Sequence, residues 1–246
     1  MDPGYLKQRE EESKPLQTVE RYKSLIEALL YAAVMTRPDI SIATSILGRR
    51  VTKPTESDWN EAKRILRYLN GTINYELCLG FNHRNLECFV DADWAGDTSD
   101  RKSNSGYLFN LGGGLIGWGY RKQKCVALSS TEAEYITLAE CSQELQWTRK
   151  LLNDIGEPVK LPITINEDNQ STIALTQGDR TERRSKHIDT KYNYIKELVR
   201  EGVIQLKYCP SEFMEADILT KPLQMIKLQR LREAIGLKPY SVEEEC

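Results

Sequence analysis

Three short β-rich runs, parted by polar or glycine-rich turns, lie directly before one long amphipathic segment in the middle of the chain. The runs are residues 86–95, 105–111 and 115–128, with Gly112-Gly-Gly114 as the last turn. The amphipathic segment starts at Ser129 or Ser130 and reaches Ile155, where Gly156 is a typical helix end. This order predicts a sheet with a long helix packed against it.

A second set of elements continues the pattern towards the C-terminus. It comprises a strand (163–168), a short helix (170–177), a basic loop, a helix from about His187 to Glu201, a strand (203–208) and a helical stretch. The order β-β-β-α-β-α-α-β-α predicts a single mixed sheet of five strands with helices against its faces. The predicted fold class is therefore α/β.

The part of the chain before this sheet has helical periodicity only. A first helix ends at Arg37-Pro38, and Asp39 is placed to cap a second helix through Ile40–Leu47. Thr55 and Asp58 have the form of a capping box that opens a third helix. We therefore predict a small all-helical module. The predicted divisions are a polar tail (1–18), the helical module (19–75), the α/β domain (76–236) and a C-terminal tail (237–246).

The charge balance and the cysteines restrict the class of protein. A net charge of −2 argues against a general nucleic-acid coat, but it permits an enzyme with a basic track beside an acidic site. The six cysteines form no C-x-x-C pair, which favours free thiols in a reducing compartment over a zinc site. The sequence shows neither a signal peptide nor an 18-residue apolar stretch. We therefore expect an intracellular protein, cytoplasmic or nuclear, that is not secreted and has no membrane partner.

Four acidic residues occupy positions that are unusual for a purely structural role. Asp91 lies inside an apolar strand, where aspartate is disfavoured. Glu134 begins the apolar stripe of the long helix and should face the sheet. Asp168 follows an apolar strand near its end, where α/β sheets often form sites, and Asp217 begins an apolar helical segment.

Each of these acids also has a simpler interpretation. Asp91 fits a turn at a strand end, and Glu134 fits a capping box with Thr131. Asp168 fits a cap of the helix that follows it, and Asp217 fits the favourable end of a helix dipole. Taken singly, each acid is better explained in this way, so the case for a site depends on their convergence.

Acids that converge at one edge of the sheet repel one another and raise one another's pKa values. Such a cluster persists best when cations neutralise it, and carboxylate oxygens suit Mg²⁺ or Mn²⁺. Two ions about 4 Å apart can activate a water molecule and stabilise the leaving oxygen of a phosphodiester. The four acids together therefore predict a site for phosphoryl transfer.

Long motifs in both parts of the chain resemble copia-type retrotransposon polyproteins. The motifs that resemble their ribonuclease H domain are FVDADWAGD (89–97), RKSNSGYLF (101–109), ALSSTEAEY (127–135), NEDNQSTIAL (166–175), KHIDTKY (186–192) and EADILTKPL (215–223). Those that resemble the segment after the polymerase are SLIEALLYAAVMTRPDI (24–40) and WNEAKRILRYLNGT (59–72). The resemblance covers nearly all of residues 20–225. It implies a ribonuclease H-like fold, preceded by the end of a reverse transcriptase.

The resemblance also implies an activity, the cutting of the RNA strand in RNA–DNA hybrids. The catalytic residues that bind metal would be Asp91, Glu134, Asp168 and Asp217. They would hold two Mg²⁺ ions, for which Mn²⁺ can substitute, against the RNA phosphate that is cut. Asp93 is a competing choice for the first position and Glu132 for the second. The loop at residues 210–215 lacks the histidine that ribonucleases H often carry there, which bears on product release.

Substrate contacts are expected from basic groups in loops or strand ends and from polar side chains beside them. The candidates are Arg101, Lys102, Ser103, Asn104, Ser105, Arg121, Lys122, Asn169, Arg183 and Arg184. Cations position a duplex through its phosphates, whereas serine and asparagine can bond a minor groove and its 2′-hydroxyls. Trp94 and Trp118 are expected in the core. The implied partners are an RNA–DNA hybrid and the rest of a reverse transcriptase, and the implied cytoplasmic location includes virus-like particles.

Three other functions are alternatives to this one. A polymerase is disfavoured because Ala92 separates the two acids of FVDAD and no fingers or palm precede them. An integrase orders its acids Asp, Asp, Glu, whereas this chain runs Asp, Glu, Asp, Asp. The third is a catalytically silent remnant of a retroelement that binds nucleic acid or a protein partner. All four acids remain in this chain, which argues against decay.

Overall fold

The structure is a computed structural model that describes residues 1, 5, 13–80, 85–97, 99–178 and 186–240, without the side chains of residues 186–189. These residues form two compact units, one made of Met1–Cys78 with Lys221–Cys246 and the other of Leu79–Thr220. The second unit contains all four predicted catalytic acids.

A five-stranded mixed sheet forms the second unit. Its strands are β2 (Leu86–Asp93), β3 (Asn104–Leu111), β4 (Gly114–Lys122), β5 (Ile163–Glu167) and β6 (Ile204–Tyr208). The spatial order is β4-β3-β2-β5-β6. The first three strands are antiparallel neighbours, whereas β5 runs parallel to both β2 and β6. The central strands β2 and β3 are buried along nearly their whole length, which explains their long apolar runs.

One face of this sheet packs against two helices, α4 (Ser130–Asp154) and α6 (Lys186–Arg200). Their apolar stripes meet alternate residues of the strands, as period-2 side-chain alternation requires. The shared core includes Cys88, Val90, Leu138, Leu145, Ile165 and Ile195. A shorter helix, α5 (Gln170–Gln177), follows β5 and contacts both long helices.

A one-turn helix, α7 (Asp217–Thr220), contacts β2 and β3. It approaches β3 at Gly106, where a Cβ atom would lie 2.7 Å from Cγ2 of Thr220 and 2.8 Å from Cβ of Leu219. Only glycine leaves room for this approach. The second unit thus has the predicted ribonuclease H-like architecture, a mixed five-stranded sheet with flanking helices, and its element order matches the prediction throughout.

The first unit is mainly helical, as predicted. It contains α1 (Val19–Met35), a 3₁₀ turn (Pro38–Ile40), α2 (Ser41–Gly48), α3 (Glu56–Gly71), α8 (Met225–Ala234) and a two-stranded sheet of β1 (Tyr75–Leu77) and β7 (Leu237–Pro239). Helix α3 opens with the predicted capping box, since Thr55 accepts from the Asp58 N–H and Asp58 accepts from the Thr55 N–H. The core of the first unit is formed by side chains such as Tyr22, Ile26, Leu47 and Ile65.

Two local predictions are wrong, and the boundary at residue 236 differs from the observed division. Asp39 does not cap a helix, because its carboxylate accepts from Nε of Arg37 at 3.0 Å and from the hydroxyl of Tyr68 at 2.6 Å. Residues 123–128 are not a strand: β4 ends at Lys122, and the amide of Gln123 is turned inward to the carbonyl of Ala133 at 2.9 Å. Residues 221–240 belong to the first unit, where β7 pairs with β1.

Candidate active site

Three of the predicted acids converge in the second unit. Asp91, Glu134 and Asp168 each offer an oxygen atom, and these three oxygens all lie within 4.8 Å of one another. Asp91 comes from β2 and Glu134 from α4, and Asp168 directly follows β5. Asp91 and Glu134 are buried, whereas Asp168 is partly exposed. The group thus opens towards solvent on the side of Asp168.

The strand register explains why Asp91 and Asp168 meet. Phe89 is paired with Asn166 in the parallel ladder of β2 and β5. Two residues further along each strand, Asp91 and Asp168 arrive at the same level and on the same face. Glu134 joins them because the first turns of α4 pack here, with Ala133 against Ala92.

The electrostatics of the group are unfavourable to three ionised carboxylates. Burial raises the pKa of Glu134 well above its ordinary value, and the charges of Glu167, Asp91 and Asp168 raise it further. A hydrogen bond from the backbone of Ala92 acts in the opposite direction. The buried Oε2 atom of Glu134 has no hydrogen-bond partner among the described residues. Oxygen ligands with this charge and one unsatisfied buried atom fit a divalent cation.

A further acid beside this group, Glu167, was not predicted from the sequence. It is fully buried at the end of β5, where its Oε1 atom accepts from the backbone N–H of Asn169 at 2.9 Å. Its other oxygen has no partner in the described part of the chain. Burial raises the pKa of Glu167 well above its ordinary value, and Asp168 and Asp91 add to the shift. Period-2 alternation could have indicated that Glu167 is buried, because Ile163, Ile165 and Glu167 share one strand face.

The fourth predicted acid, Asp217, does not join the group of three. It is buried at the start of α7, and the residue of this helix that reaches the group is Thr220, whose hydroxyl donates to Oδ2 of Asp91. One helical turn separates the two residues. The sequence therefore identified the correct short helix, while the structure assigns the contact with Asp91 to its last residue.

The two competing acids have structural roles instead. Asp93 accepts a hydrogen bond from the backbone of Asn104 and another from its amide Nδ2 at 2.9 Å, so it fixes the ends of β2 and β3. Glu132 accepts from the N–H of Leu128 at 2.9 Å. The N-cap of α4 is Ser129, not Thr131, which removes the capping interpretation of Glu134.

Comparisons with known proteins identify the family. The Pol polyprotein of transposon TNT 1-94 from Nicotiana tabacum is 39% identical to this chain over 216 residues, which are 88% of this chain and 16% of that protein. The chain belongs to the retrovirus-related Pol polyproteins of copia-type transposons. It spans about one-sixth of the length of such relatives.

Two other similarities of this Pol segment extend the comparison. Secreted RxLR effector protein 161 of Plasmopara viticola is 45% identical over 127 residues, which are 51% of this chain and 89% of that protein. Among solved structures, LC11-RNase H1 isolated from compost is similar at 16% identity and a TM-score of 0.45, covering 56% of this chain and 93% of that one. No family model matches the chain. Across the described ranges, no helix is both long and apolar enough to cross a membrane.

Three predicted substrate contacts of the Pol segment are turned inward. Ser103 accepts from the N–H of Ala95 at 3.1 Å. Ser105 accepts from the hydroxyl of Thr137 at 2.8 Å, and Asn104 donates to Asp93 as described above. All three side chains are buried and already bonded within the protein. They organise the strand ends, and the expectation that they face a minor groove is corrected.

The remaining candidates differ in how free they are to bind phosphate. Arg101 is exposed, at a backbone φ of 56°, and Lys102 beside it is partly exposed. Arg121 lies 3.7 Å from Oε2 of Glu140, whereas Lys122 forms ion pairs with Asp97 and, at 2.8 Å, with Asp100. Asn169 caps α5 by accepting from the N–H of Thr172 at 3.1 Å. The last two candidates, Arg183 and Arg184, lie outside the described residues.

Proposed function

We propose that this Pol segment is a ribonuclease H that cuts the RNA strand of RNA–DNA hybrids. Asp91, Glu134 and Asp168 would bind two divalent cations, Mg²⁺ or its substitute Mn²⁺. The observation that carries the proposal is the convergence of their oxygens within 4.8 Å from three separate elements of the fold. Membership in the copia-type Pol family and the ribonuclease H-like fold support the same function.

The donor set favours cations of this type. Carboxylate oxygens are hard ligands, which suit Mg²⁺ and Mn²⁺ better than they suit zinc or copper. Burial of Glu134 beside two other acids is unfavourable unless positive charge is present, and its unsatisfied Oε2 atom is available as a ligand. Bound ions of this kind supply an activated water and neutralise charge that develops on a phosphodiester.

Neighbouring groups of the chain hold two of the ligands in place. The hydroxyl of Thr220 fixes Asp91 from one face of the sheet. Ser211 donates its hydroxyl hydrogen to Oδ2 of Asp168 at 2.6 Å. Ser211 lies in the loop at residues 210–215, which has no histidine. In this chain a serine is therefore the loop residue that contacts Asp168. Such bonds reduce the reorganisation required when the ions and the substrate bind.

Basic groups near the site would position the hybrid through its phosphates. Arg101, Lys102 and Arg121 are predicted basic contacts that are at least partly exposed, and Lys122 is partly exposed as well but forms ion pairs with Asp97 and Asp100. Their contribution would be independent of sequence and would weaken as salt concentration rises. We further propose that the rest of a reverse transcriptase is a partner, because the chain spans only part of its polyprotein relatives.

Cleavage of a labelled hybrid tests the proposal. Purified protein is incubated with a hybrid that carries different labels on its RNA and DNA strands, with Mg²⁺, with Mn²⁺ and with chelator. We expect cuts in the RNA strand alone, in the presence of either ion and not with chelator. A DNA–DNA duplex of the same sequence is the control and should stay intact. An intact hybrid under all conditions would refute the proposed activity.

A second candidate function is a silent remnant that binds nucleic acid or protein. The similarity to the Plasmopara viticola protein favours it. About half of this chain matches most of that protein, which is short and is named a secreted effector. The same assay separates the two functions. Binding of the hybrid without cleavage would support the remnant.

A further inference from the structure

An exposed tryptophan follows the strand that carries Asp91. Trp94 follows β2 directly and was expected in the core, yet 55% of its surface is exposed. Its indole N–H donates to the carbonyl of Ala127 at 3.1 Å. This hydrogen bond fixes the ring in one place while much of its apolar surface remains in water. Trp94 is therefore a rigid, accessible aromatic group.

Two aliphatic side chains enlarge this apolar area. Val126 and Leu128, on either side of Ala127, are 45% and 84% exposed. We call Trp94, Val126 and Leu128 the Trp94 surface. They are exposed because the chain leaves the sheet after Lys122, where Gln123 turns inward. Their apolar character is thus not explained by packing within the described part of the molecule.

The packing beneath this surface ties it to the acids. Ala127, which accepts the bond from Trp94, is buried in a small cluster with Ala92 and Ala133. Ala92 directly follows Asp91, and Ala133 directly precedes Glu134. The connection that carries the Trp94 surface thus packs on the residues next in sequence to two of the three proposed ligands.

The charges around this surface are suited to an anionic polymer. Lys124, two residues before Val126, is exposed, and so is Arg121 near the end of β4, where its Nε atom lies 3.7 Å from Oε2 of Glu140. The nearby acids Asp97 and Asp100 both form ion pairs with Lys122. An apolar area flanked by exposed cations matches a nucleic-acid backbone, in which the apolar edges of sugars alternate with phosphates.

We propose that the Trp94 surface is a binding subsite for the sugar–phosphate backbone of the substrate duplex, next to the bond that is cut. This inference rests on the proposed function. In a duplex the faces of internal bases are stacked on one another, so a ring outside the helix packs on sugars. The apolar side chains would cover sugar edges, while Lys124 and Arg121 would contact the flanking phosphates.

Binding of an RNA–DNA hybrid in the presence of chelator tests the inference separately from cleavage. Trp94→Ala is compared with Trp94→Phe, which keeps an aromatic face but lacks the indole N–H. Trp147→Ala is the matched control, because Trp147 is 61% exposed on the same helix as Glu134 but about 20 Å further along its axis. Thermal unfolding of each variant shows that it remains folded.

We expect Trp94→Ala to weaken hybrid binding about tenfold, with Trp94→Phe between it and the wild type. Trp147→Ala should bind as the wild type does. The slope of log Kd against log salt should be unchanged in Trp94→Ala, since an apolar contact releases no counterions. Lys124→Gln should reduce that slope by about one.

The inference is overturned if Trp94→Ala binds hybrid as tightly as the wild type, or if wild-type protein binds no hybrid. It is also overturned if sedimentation shows that Trp94→Ala changes self-association while hybrid affinity stays the same. Binding that depends on Trp94 without any cleavage would support this inference and refute the nuclease. Cleavage that is indifferent to Trp94 would refute this inference and leave the nuclease standing.

Discussion

The hydroxyl of Thr220 donates a hydrogen bond to Oδ2 of Asp91, although 129 residues separate the two in the chain. The bond joins the last residue of α7 to Asp91 near the end of the central strand β2, and both partners are buried. It is possible because Gly106, which pairs with Asp91 on β3, leaves space for the helix. A short C-terminal helix thus holds the carboxylate that the proposed chemistry requires.

Replacement of Thr220 by valine removes this hydroxyl and keeps the shape of the side chain. We expect the free energy of unfolding to fall by about 1 kcal/mol, and kcat for hybrid cleavage to fall while KM stays nearly constant. Thr176→Val is the matched control, because Thr176 is also buried and donates to the carbonyl of Ile173 at 2.7 Å. It should lose similar stability and keep its kcat. Equal loss of kcat in both variants would contradict the role given to Thr220.

Insertion of a methyl group at Gly106 should displace α7. Gly106→Ala would place a Cβ atom 2.7 Å from Cγ2 of Thr220, and we expect a loss of about 1–3 kcal/mol in unfolding free energy together with lower activity. Gly117→Ala serves for comparison, since its Cβ atom would meet only Phe109, at an ordinary 3.5 Å. Chemical denaturation measures both variants. Similar unfolding free energies for the two would show that α7 does not require this close approach.

Replacement of Glu134 by glutamine should stabilise the metal-free protein. The folded-state pKa of Glu134 is raised, so its ionisation costs stability as pH rises above the usual carboxyl range. We expect the variant to gain about 1 kcal/mol at neutral pH, less at pH 4, and to lose the rise in Tm that Mg²⁺ gives the wild type. Glu132→Gln, on the same helix, should keep that rise. If Mg²⁺ raised the Tm of Glu134→Gln as much as that of the wild type, Glu134 would not be a ligand.

The carboxyl of Glu215 should make stability depend on pH between about 4.5 and 7. Burial raises its pKa to about 7, opposed by a hydrogen bond from Nδ2 of Asn110 at 3.0 Å, while the charge of Glu87 raises it further. Because the folded-state pKa is the higher one, the stabilising contribution is complete at low pH and is lost as pH rises through about 7. Glu215→Gln should therefore be more stable than the wild type at pH 8 by about 1–2 kcal/mol and nearly equal at pH 4.

Unfolding curves measured at several pH values check this expectation. Glu212→Gln is the control, because it makes the same replacement at an exposed position of the same loop. A constant difference between Glu215→Gln and the wild type at all pH values would indicate a packing effect instead.

The sequence predicted the order of strands and helices along the chain and all three of the converging acids, two of them for reasons that are local. Asp91 stood out because aspartate is rare in an apolar strand, and Glu134 because it lay on the core-facing stripe of a long helix. Both signals depend on local periodicity, which one sequence is enough to reveal.

The errors concern contacts between residues that are distant in the chain. Residue type also gave no sign that the hydroxyl of Thr220, at the end of the helix that Asp217 begins, donates to Asp91. Ser103 and Ser105 were expected at the surface because they are polar, yet partners such as Ala95 and Thr137 satisfy them in the interior. Such pairings follow from tertiary packing, which residue type alone does not reveal.

Trp94 shows the opposite error. Tryptophan is more often a core residue than a stacking platform, and residues 123–128 were taken for a continuation of β4. The inward turn of Gln123 ends the strand and leaves the ring exposed.

Diffraction from crystals grown with Mn²⁺ is the sharpest test of metal binding at this site, because the anomalous signal locates the metal itself. We predict a peak bounded by carboxylate oxygens of Asp91, Glu134 and Asp168, and loss of that peak in Glu134→Gln crystals. Manganese bound elsewhere, with these three carboxylates contacting only protein groups and water, would contradict it.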